Sequence, residues 1–400
     1  MNSNHKLRSI DKVMDQTSGN SKKEVKLIKL KEDHYFVKGF ANVGVIFTSE
    51  GVVVIDTSVS KSHANDIYSK IREKTNLPIK YIIYTHGHLD HVHSTDVFKE
   101  PGTKVIGHEN INERFLKYKK LEEYHLRINS LQFQNKLGLQ SFEFCPPDVT
   151  FHNNYEFSLG GKDIQIVHGK GETDDHCFIY VKGDNIVYSG DFFIWSFPNI
   201  GNPLKVIRYE REWYETLEKI KELHPEILVP GHGSALKEKE TIQTALQDVI
   251  DTLYFIHEEV ILHINKGTPL EYMVESIQLP EHLRNSPYVQ QTYGCLNFSI
   301  KGVYRRYTGW FDGNPTNLNP SKSKEIAAEL LSLIQNDSVI LTRCRELIER
   351  EEYQMAMHLL DILIVSKDIE EAKQLKNEAV KKYAEENDNF IMRNIYRQYQ

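Results

Sequence analysis

The sequence predicts an α+β fold in two parts, a sandwich of β-sheets with helices outside and then an all-helical domain. Three observations predict it. Short β-rich segments crowd residues 25–57, a second group of strands follows a stretch of strand–helix alternation, and beyond about residue 245 the periodicity is helical throughout.

The first segments, VKLIKL (25–30), HYFVKGF (34–40), VGVIFT (43–48) and GVVVIDT (51–57), are separated by one to three turn-forming residues, as in an antiparallel meander. A polar helix over 61–75 leads into the apolar strand IKYIIYT (79–85), and 110–126 reads as helical. Strands return at 154–159, 163–168, 176–182 and 185–189. A helix over 209–223, the short strand EILVP (226–230) and a further helix from about 236 complete this part. The domains are drawn as a polar tail at 1–24, a main domain at 25–245 and a helical domain at 246–400.

Within the helical domain, 245–265 and 268–280 place apolar residues at three- and four-residue steps. An aromatic-rich stretch (287–311) and the turn-rich DGNPTNLNPS (312–321) follow. Helices are expected at 322–335, 338–350, 351–365, 368–385 and 387–398. Tyr353, Ala356 and Leu360 are spaced against Ala372 and Leu375 as in a helical hairpin. Such helices would pack on the main domain or on a second subunit.

Bulk composition is that of an ordinary globular protein, with 40% hydrophobic and 26% charged residues. The 56 acidic and 49 basic residues leave a net charge of −7, which argues against nucleic-acid or anionic-membrane partners. The first 24 residues carry no apolar run, and no stretch approaches a membrane span. Cys145, Cys177, Cys295 and Cys344 are scattered without a C-x-x-C pair, as expected of buried reduced thiols in a cytoplasmic protein.

The chemistry concentrates in His86-Gly87-His88-Leu89-Asp90-His91, directly after the strand IKYIIYT. Four imidazole and carboxylate side chains on one loop at a strand's end suit a borderline divalent metal such as zinc. The run H-x-H-x-D-H resembles the hallmark of the metallo-β-lactamase superfamily, which implies an αββα sandwich. Asp56, ending GVVVIDT, matches the superfamily acid that orients a ligand histidine. Later strand ends offer the remaining ligands: Glu172 in HGKGETDDH, where most members have histidine, Asp191 in VYSGDFF and His232 in ILVPGHG. His176 is the rival to Glu172, and His168 and His93 are candidates for supporting roles.

Glu172 narrows the resemblance to the alkyl sulfatase branch. The segments SPYVQQTYG (286–294), VYRRYTGWFDGNPTNL (303–318) and MRNIY (392–396) look like that family's dimerisation domain. The resemblance covers residue 28 to the end, and the sterol-carrier-like domain of longer members is read as missing. It implies two divalent ions, most simply Zn²⁺. One is held by His86, His88 and Glu172, the other by Asp90, His91 and His232, with Asp191 bridging. The implied reaction is hydrolysis of an alkyl sulfate or similar anionic ester by a metal-bound hydroxide, with Asp90 and Asp191 catalytic, in a homodimer.

Asn199, Lys205, Arg208 and Tyr293 are the candidate substrate-binding residues. Three departures from the branch stand out. Asp191 replaces the family's bridging glutamate, Phe298 and Ser299 stand where the sulfatases show His and Asn, and Leu204 falls near the place of an anion-clamping arginine. They keep a second expectation open: a hydrolase of the same fold acting on a lactone, thioester, phosphoester or β-lactam. A non-catalytic scaffold is the third.

Overall fold

The computed structural model describes residues 25–134, 141–334 and 336–398. The expected polar tail at 1–24 lies outside them.

Two sheets form the main domain. The first runs β1 (Ile28–Lys29), β2 (His34–Val37), β3 (Val43–Phe47), β4 (Val52–Ile55), β5 (Ile79–Ile83), β6 (Lys104–His108) and β7 (Val149–Phe151), each beside the next. The second contains β8 (Asn154–Leu159), β9 (Lys162–His168), β10 (Cys177–Val181), β11 (Ile186–Gly190) and β12 (Ile227–Pro230), again in sequence order. The meanders β1–β4 and β8–β11 are antiparallel. Pairing turns parallel from β4 through β7 and between β11 and β12, because connections carrying helices return each chain to the same edge.

Alternation of side chains explains the layering. Ile46, Val53, Ile55 and Ile83 from one sheet meet Ile166, Ile179 and Tyr188 from the other. Val45, Val54 and Ile82 point the opposite way, onto Ala64, Ile67 and Ile71 of the helix Lys61–Lys74. On the outer face of the second sheet, Phe178, Val187 and Leu228 pack on Trp213 and Leu217 of the helix Glu210–Glu222 and on the helix Lys239–Asn265. The order is helix, sheet, sheet, helix.

Several expected elements differ in extent. The strand expected at 25–30 shrinks to β1, and β6 and β7 were not anticipated from the sequence. The helix expected over 110–126 is two, Ile111–Lys120 and Glu122–Phe133, broken at Leu121. The boundary drawn at 245/246 falls inside Lys239–Asn265, whose residues Ala245, Leu246, Val249 and Leu253 are buried in one continuous core. Of the cysteines, Cys145 is only half-buried, while Cys177, Cys295 and Cys344 are buried and all four are free thiols.

The helical domain contains the expected hairpins, Ser323–Ser332, Asp337–Glu349, Tyr353–Lys367 and Glu370–Glu386. Ala356 and Leu360 are fully buried, and Leu360 and Ala372 share a small core. The final helix, Phe390–Arg397, returns to the main domain, where Asn394 Nδ2 donates to the Gln132 carbonyl at 2.8 Å. No helix of the described residues is long and apolar enough to cross a membrane.

Candidate metal centre and substrate cavity

Strand ends of both sheets converge on the site. His86 follows β5, Asp191 follows β11 and His232 follows β12. The chain turns sharply after β12, where Gly231 N donates to Gly190 O at 2.7 Å. A Cβ at Gly231 would lie 1.9 Å from Asp191 Oδ1, so only glycine lets the two strand ends approach this closely.

The ligand atoms fall into two trios, His86, His88 and Asp191, and Asp90, His91 and His232. Asp191 faces both. Its Oδ2 is 3.7 Å from His86 Nε2, and its Oδ1 is 3.4 Å from His91 Nε2 and 3.3 Å from His232 Nε2. Asp90 Oδ2 is 3.4 Å from each of the latter two nitrogens. Glu172 belongs to the first group through His88, with Oε2 3.5 Å from Nδ1, and it also forms an ion pair with Arg208.

Surrounding groups fix the rings. Asp56 accepts from His91 Nδ1 at 2.7 Å and from Thr85 N and Oγ1 at 2.8 Å each, so Nε2 of His91 is aimed at the cluster. His232 Nδ1 donates to the Phe40 carbonyl. His91 Nε2 and Asp191 Oδ1 are buried and make no hydrogen bond. Buried polar atoms without partners are costly, and these two point at one another's neighbours as metal ligands do.

The electrostatics agree. Burial and neighbouring imidazoles hold His86 well below the usual histidine range, and burial with Arg208 and Arg114 does the same for His88. Both are therefore neutral, the form that donates a lone pair to a metal. Burial alone would lower His232, but Asp191 and Asp90 outweigh it and raise it to about 9. Burial pushes Glu172 up to about 7 even with Arg208 against it. The cluster calls for positive charge, and divalent ions on these donors fit it.

Sequence reading missed the support beneath this loop. Asp175 Oδ2 accepts from Gly87 N at 2.7 Å, while its Oδ1 accepts from Arg114 Nε at 2.7 Å. Arg114 also pairs with Asp174. The TDDH run following Glu172 was the available signal. The buried pair fixes the turn between His86 and His88. Asp175→Asn is expected to weaken metal binding by about 10–100-fold, measured by chelator competition, with the fold retained by circular dichroism.

His176 does not join either trio. Its ring stacks on Phe192 at 3.9 Å and lies 4.4 Å from His86, as a packing residue. His168 stacks on His108 at 3.8 Å and donates to the Asp174 carbonyl at 2.9 Å. The charges nearest His93 are Lys61, Glu143 and Asp96, not those of the cluster.

The cluster opens into a cavity of about 430 Å³ lined by His88, Asp90, Glu172, Asp191 and His232 on one side and Phe40, Phe133, Trp195 and Tyr293 on another. Lys205 and Arg208 also line it. Lys205 Nζ donates to Asn129 Oδ1 at 2.5 Å, and Tyr293 Oη accepts from Gln132 Nε2 at 2.6 Å. Asn199 corrects the sequence expectation. It is buried within the segment that packs on the helix Leu296–Tyr307 and does not line the cavity. The aromatic stretch 287–311 contributes Tyr293 alone among its rings to the lining, and Phe298 packs behind it in the cluster that also holds Phe40, Phe133, Tyr293 and Phe390.

Fold and ligand geometry define the class. Residues 37–232 match the model of the metallo-β-lactamase superfamily, and residues 269–400 match the alkyl sulfatase dimerisation family. The chain thus carries a metallo-β-lactamase superfamily domain joined to an alkyl sulfatase dimerisation domain, and curated relatives that match it over most of its length are alkylsulfatases. A linear primary-alkylsulfatase of Pseudomonas sp. (strain ATCC 19151) is 25% identical over 380 residues, covering 88% of this chain and 72% of that protein. An (R)-specific secondary-alkylsulfatase of Pseudomonas sp. is 24% identical over 400 residues, covering 90% of this chain and 60% of that one. Among solved structures, the stereoselective inverting sec-alkylsulfatase Pisa1 from Pseudomonas sp. superposes with a TM-score of 0.83 at 21% identity, over 93% of this chain and 64% of that one. The chain thus spans 60% and 64% of the length of these two secondary alkylsulfatases.

Proposed function

We propose that the protein is a binuclear metallohydrolase acting on alkyl sulfates or closely similar anionic esters, as a homodimer through its helical domain. The observation that carries this reading is Asp191, whose two oxygens face separate ligand trios across one cavity. His86, His88 and Glu172 would hold one ion, and Asp90, His91 and His232 the other. Superfamily members use divalent metals, typically zinc, and two such ions supply Lewis acidity and water of lowered pKa.

The chain's own side chains do the rest. Asp56 holds His91 in one tautomer, and Asp191 keeps the two sites at a fixed separation. Lys205 presents a cation to the anionic headgroup from its anchor on Asn129. Phe40, Phe133, Trp195 and Tyr293 offer an apolar wall to an alkyl tail, whose burial contributes about 0.8 kcal/mol per methylene.

Lys205 gives a pH signature. Burial, then Arg208, push its amine down to about 7. It carries its charge below that value and loses it as pH rises through about 7. For an anionic ester, kcat/KM is therefore expected to fall by about tenfold, one charge interaction of about 1.4 kcal/mol, as pH rises across this window. Lys205→Arg keeps its charge and should abolish this limb of the profile. An unchanged profile would remove Lys205 from the site.

Hydrolysis of dodecyl sulfate by the zinc-loaded protein tests the substrate class. Arg208 favours a second reading, because Glu172 engages it and leaves Lys205 to meet an anion by itself. If dodecyl sulfate is inert while a lactone, thioester, phosphoester or β-lactam is cleaved, that reading replaces the first.

A further inference from the structure

We infer that the mouth of the cavity is a docking surface for assembled anionic amphiphiles, so that the enzyme works at the face of a micelle or bilayer. The inference rests on the amphiphilic substrate class proposed above.

Two segments form this mouth, the helix pair around Leu121 and the loop 203–208. Each sends polar residues inward, Tyr118, His125 and Asn129 from the helices and Lys205 and Arg208 from the loop. Each also sends apolar residues outward. Val206 is 57% exposed, Ile207 45%, and Leu121 and Tyr124 42% each. The two segments are tied together, since Tyr124 Oη donates to the Leu204 carbonyl at 3.2 Å. Four large apolar side chains on one rim would ordinarily be buried, and none has a core here.

Charge identifies the occupant. On this helix pair Lys117, Lys119, Lys120 and Arg127 outnumber Glu122 and Glu123, and Lys117, Lys120 and Arg127 make no ion pair among the described residues. Arg127 lies 5.8 Å over the Tyr124 ring, an arrangement that leaves its charge outward. Burial, then Lys205 and Lys117, push His125 down to about 4, which marks the inner rim as basic too. The whole chain carries −7, so this is a local reversal of sign. Apolar side chains on a rim where cations outnumber acids suit the boundary between acyl chains and anionic headgroups. A substrate released from such an assembly enters the cavity without crossing water.

The test is co-sedimentation of the full chain with vesicles of equal parts phosphatidylglycerol and phosphatidylcholine, against phosphatidylcholine alone, without turnover. We expect binding to the anionic vesicles that weakens with salt. V206S/I207S should reduce it by about tenfold, K117E/K120E should remove the preference for phosphatidylglycerol, and both variants should cleave a tail-less aryl ester as the parent does. No binding, or binding unchanged in both variants, overturns the inference. So does a change in oligomeric state of V206S/I207S by sedimentation velocity, which would assign the rim to a second copy. Vesicle binding by a protein inert to dodecyl sulfate would refute the substrate reading and leave the rim standing.

Discussion

Asp191→Ala is expected to lower turnover by roughly 10³-fold or more while the protein remains folded. Asp191 belongs to one ligand trio and faces the other, with oxygens 3.7 Å from His86 Nε2 and 3.3–3.4 Å from His232 and His91 Nε2. Its removal would take the carboxylate that joins His86 to His91 and His232, and so a donor from each proposed ion site, leaving Asp90 between the latter two rings. Loss of other donors is less severe, since each serves one trio. The check is steady-state turnover at saturating metal, with bound metal counted by mass spectrometry and folding followed by circular dichroism. Metal content should drop along with activity. A variant keeping more than about a tenth of the parental rate would show that the two sites do not act through a shared carboxylate.

The largest stability effect is expected at Gly201, far from any ligand. A Cβ there would lie 1.7 Å from the Phe298 carbonyl oxygen and 2.3 Å from its carbon. Both are backbone atoms, so no side chain can swing aside. The helix Leu296–Tyr307 would have to retreat from the segment carrying Phe197 and Ile200, opening a core that also holds Leu296, Ile300 and Val303. Overpacking of this kind costs about 1–3 kcal/mol, and the rigid partners place Gly201→Ala at the upper end. The urea midpoint should fall clearly, and the cavity should suffer because Tyr293 begins the same segment. Gly183→Ala is the control: nothing lies within 4 Å of its Cβ, and a shift of under about 0.5 kcal/mol is expected. Equal midpoints for the two variants would contradict the close approach of main domain and helical domain.

Much of the site was legible because ligand chemistry is local. His86 to His91 sit in one loop, and a strand followed by a short polar turn marked Asp191 and His232. The layered sandwich could be read from side-chain alternation, as in Val45 and Ile46, which point to opposite sides of their sheet. Strand β6 escaped because KVIGH ends in glycine and histidine and is bounded by no clear pattern. The Asp175–Arg114 pair escaped for another reason. Its partners are 61 residues apart, and nothing local distinguishes a buried salt bridge from two surface charges. Asn199 was misplaced by the same blindness, since its burial depends on Gly201 meeting a helix almost a hundred residues later. The cavity's aromatic wall came mainly from Phe40, Phe133 and Trp195 of the main domain, which only the folded chain brings together.

In the proposed mechanism two ions, held by seven side chains, would carry the hydrolysis. Zinc titrated into chelator-treated protein, with dodecyl sulfate turnover followed at each addition, tests it most directly. No activity is expected without metal, and a plateau is expected at two equivalents. Full activity in the metal-free protein, or a plateau at one equivalent, would contradict it.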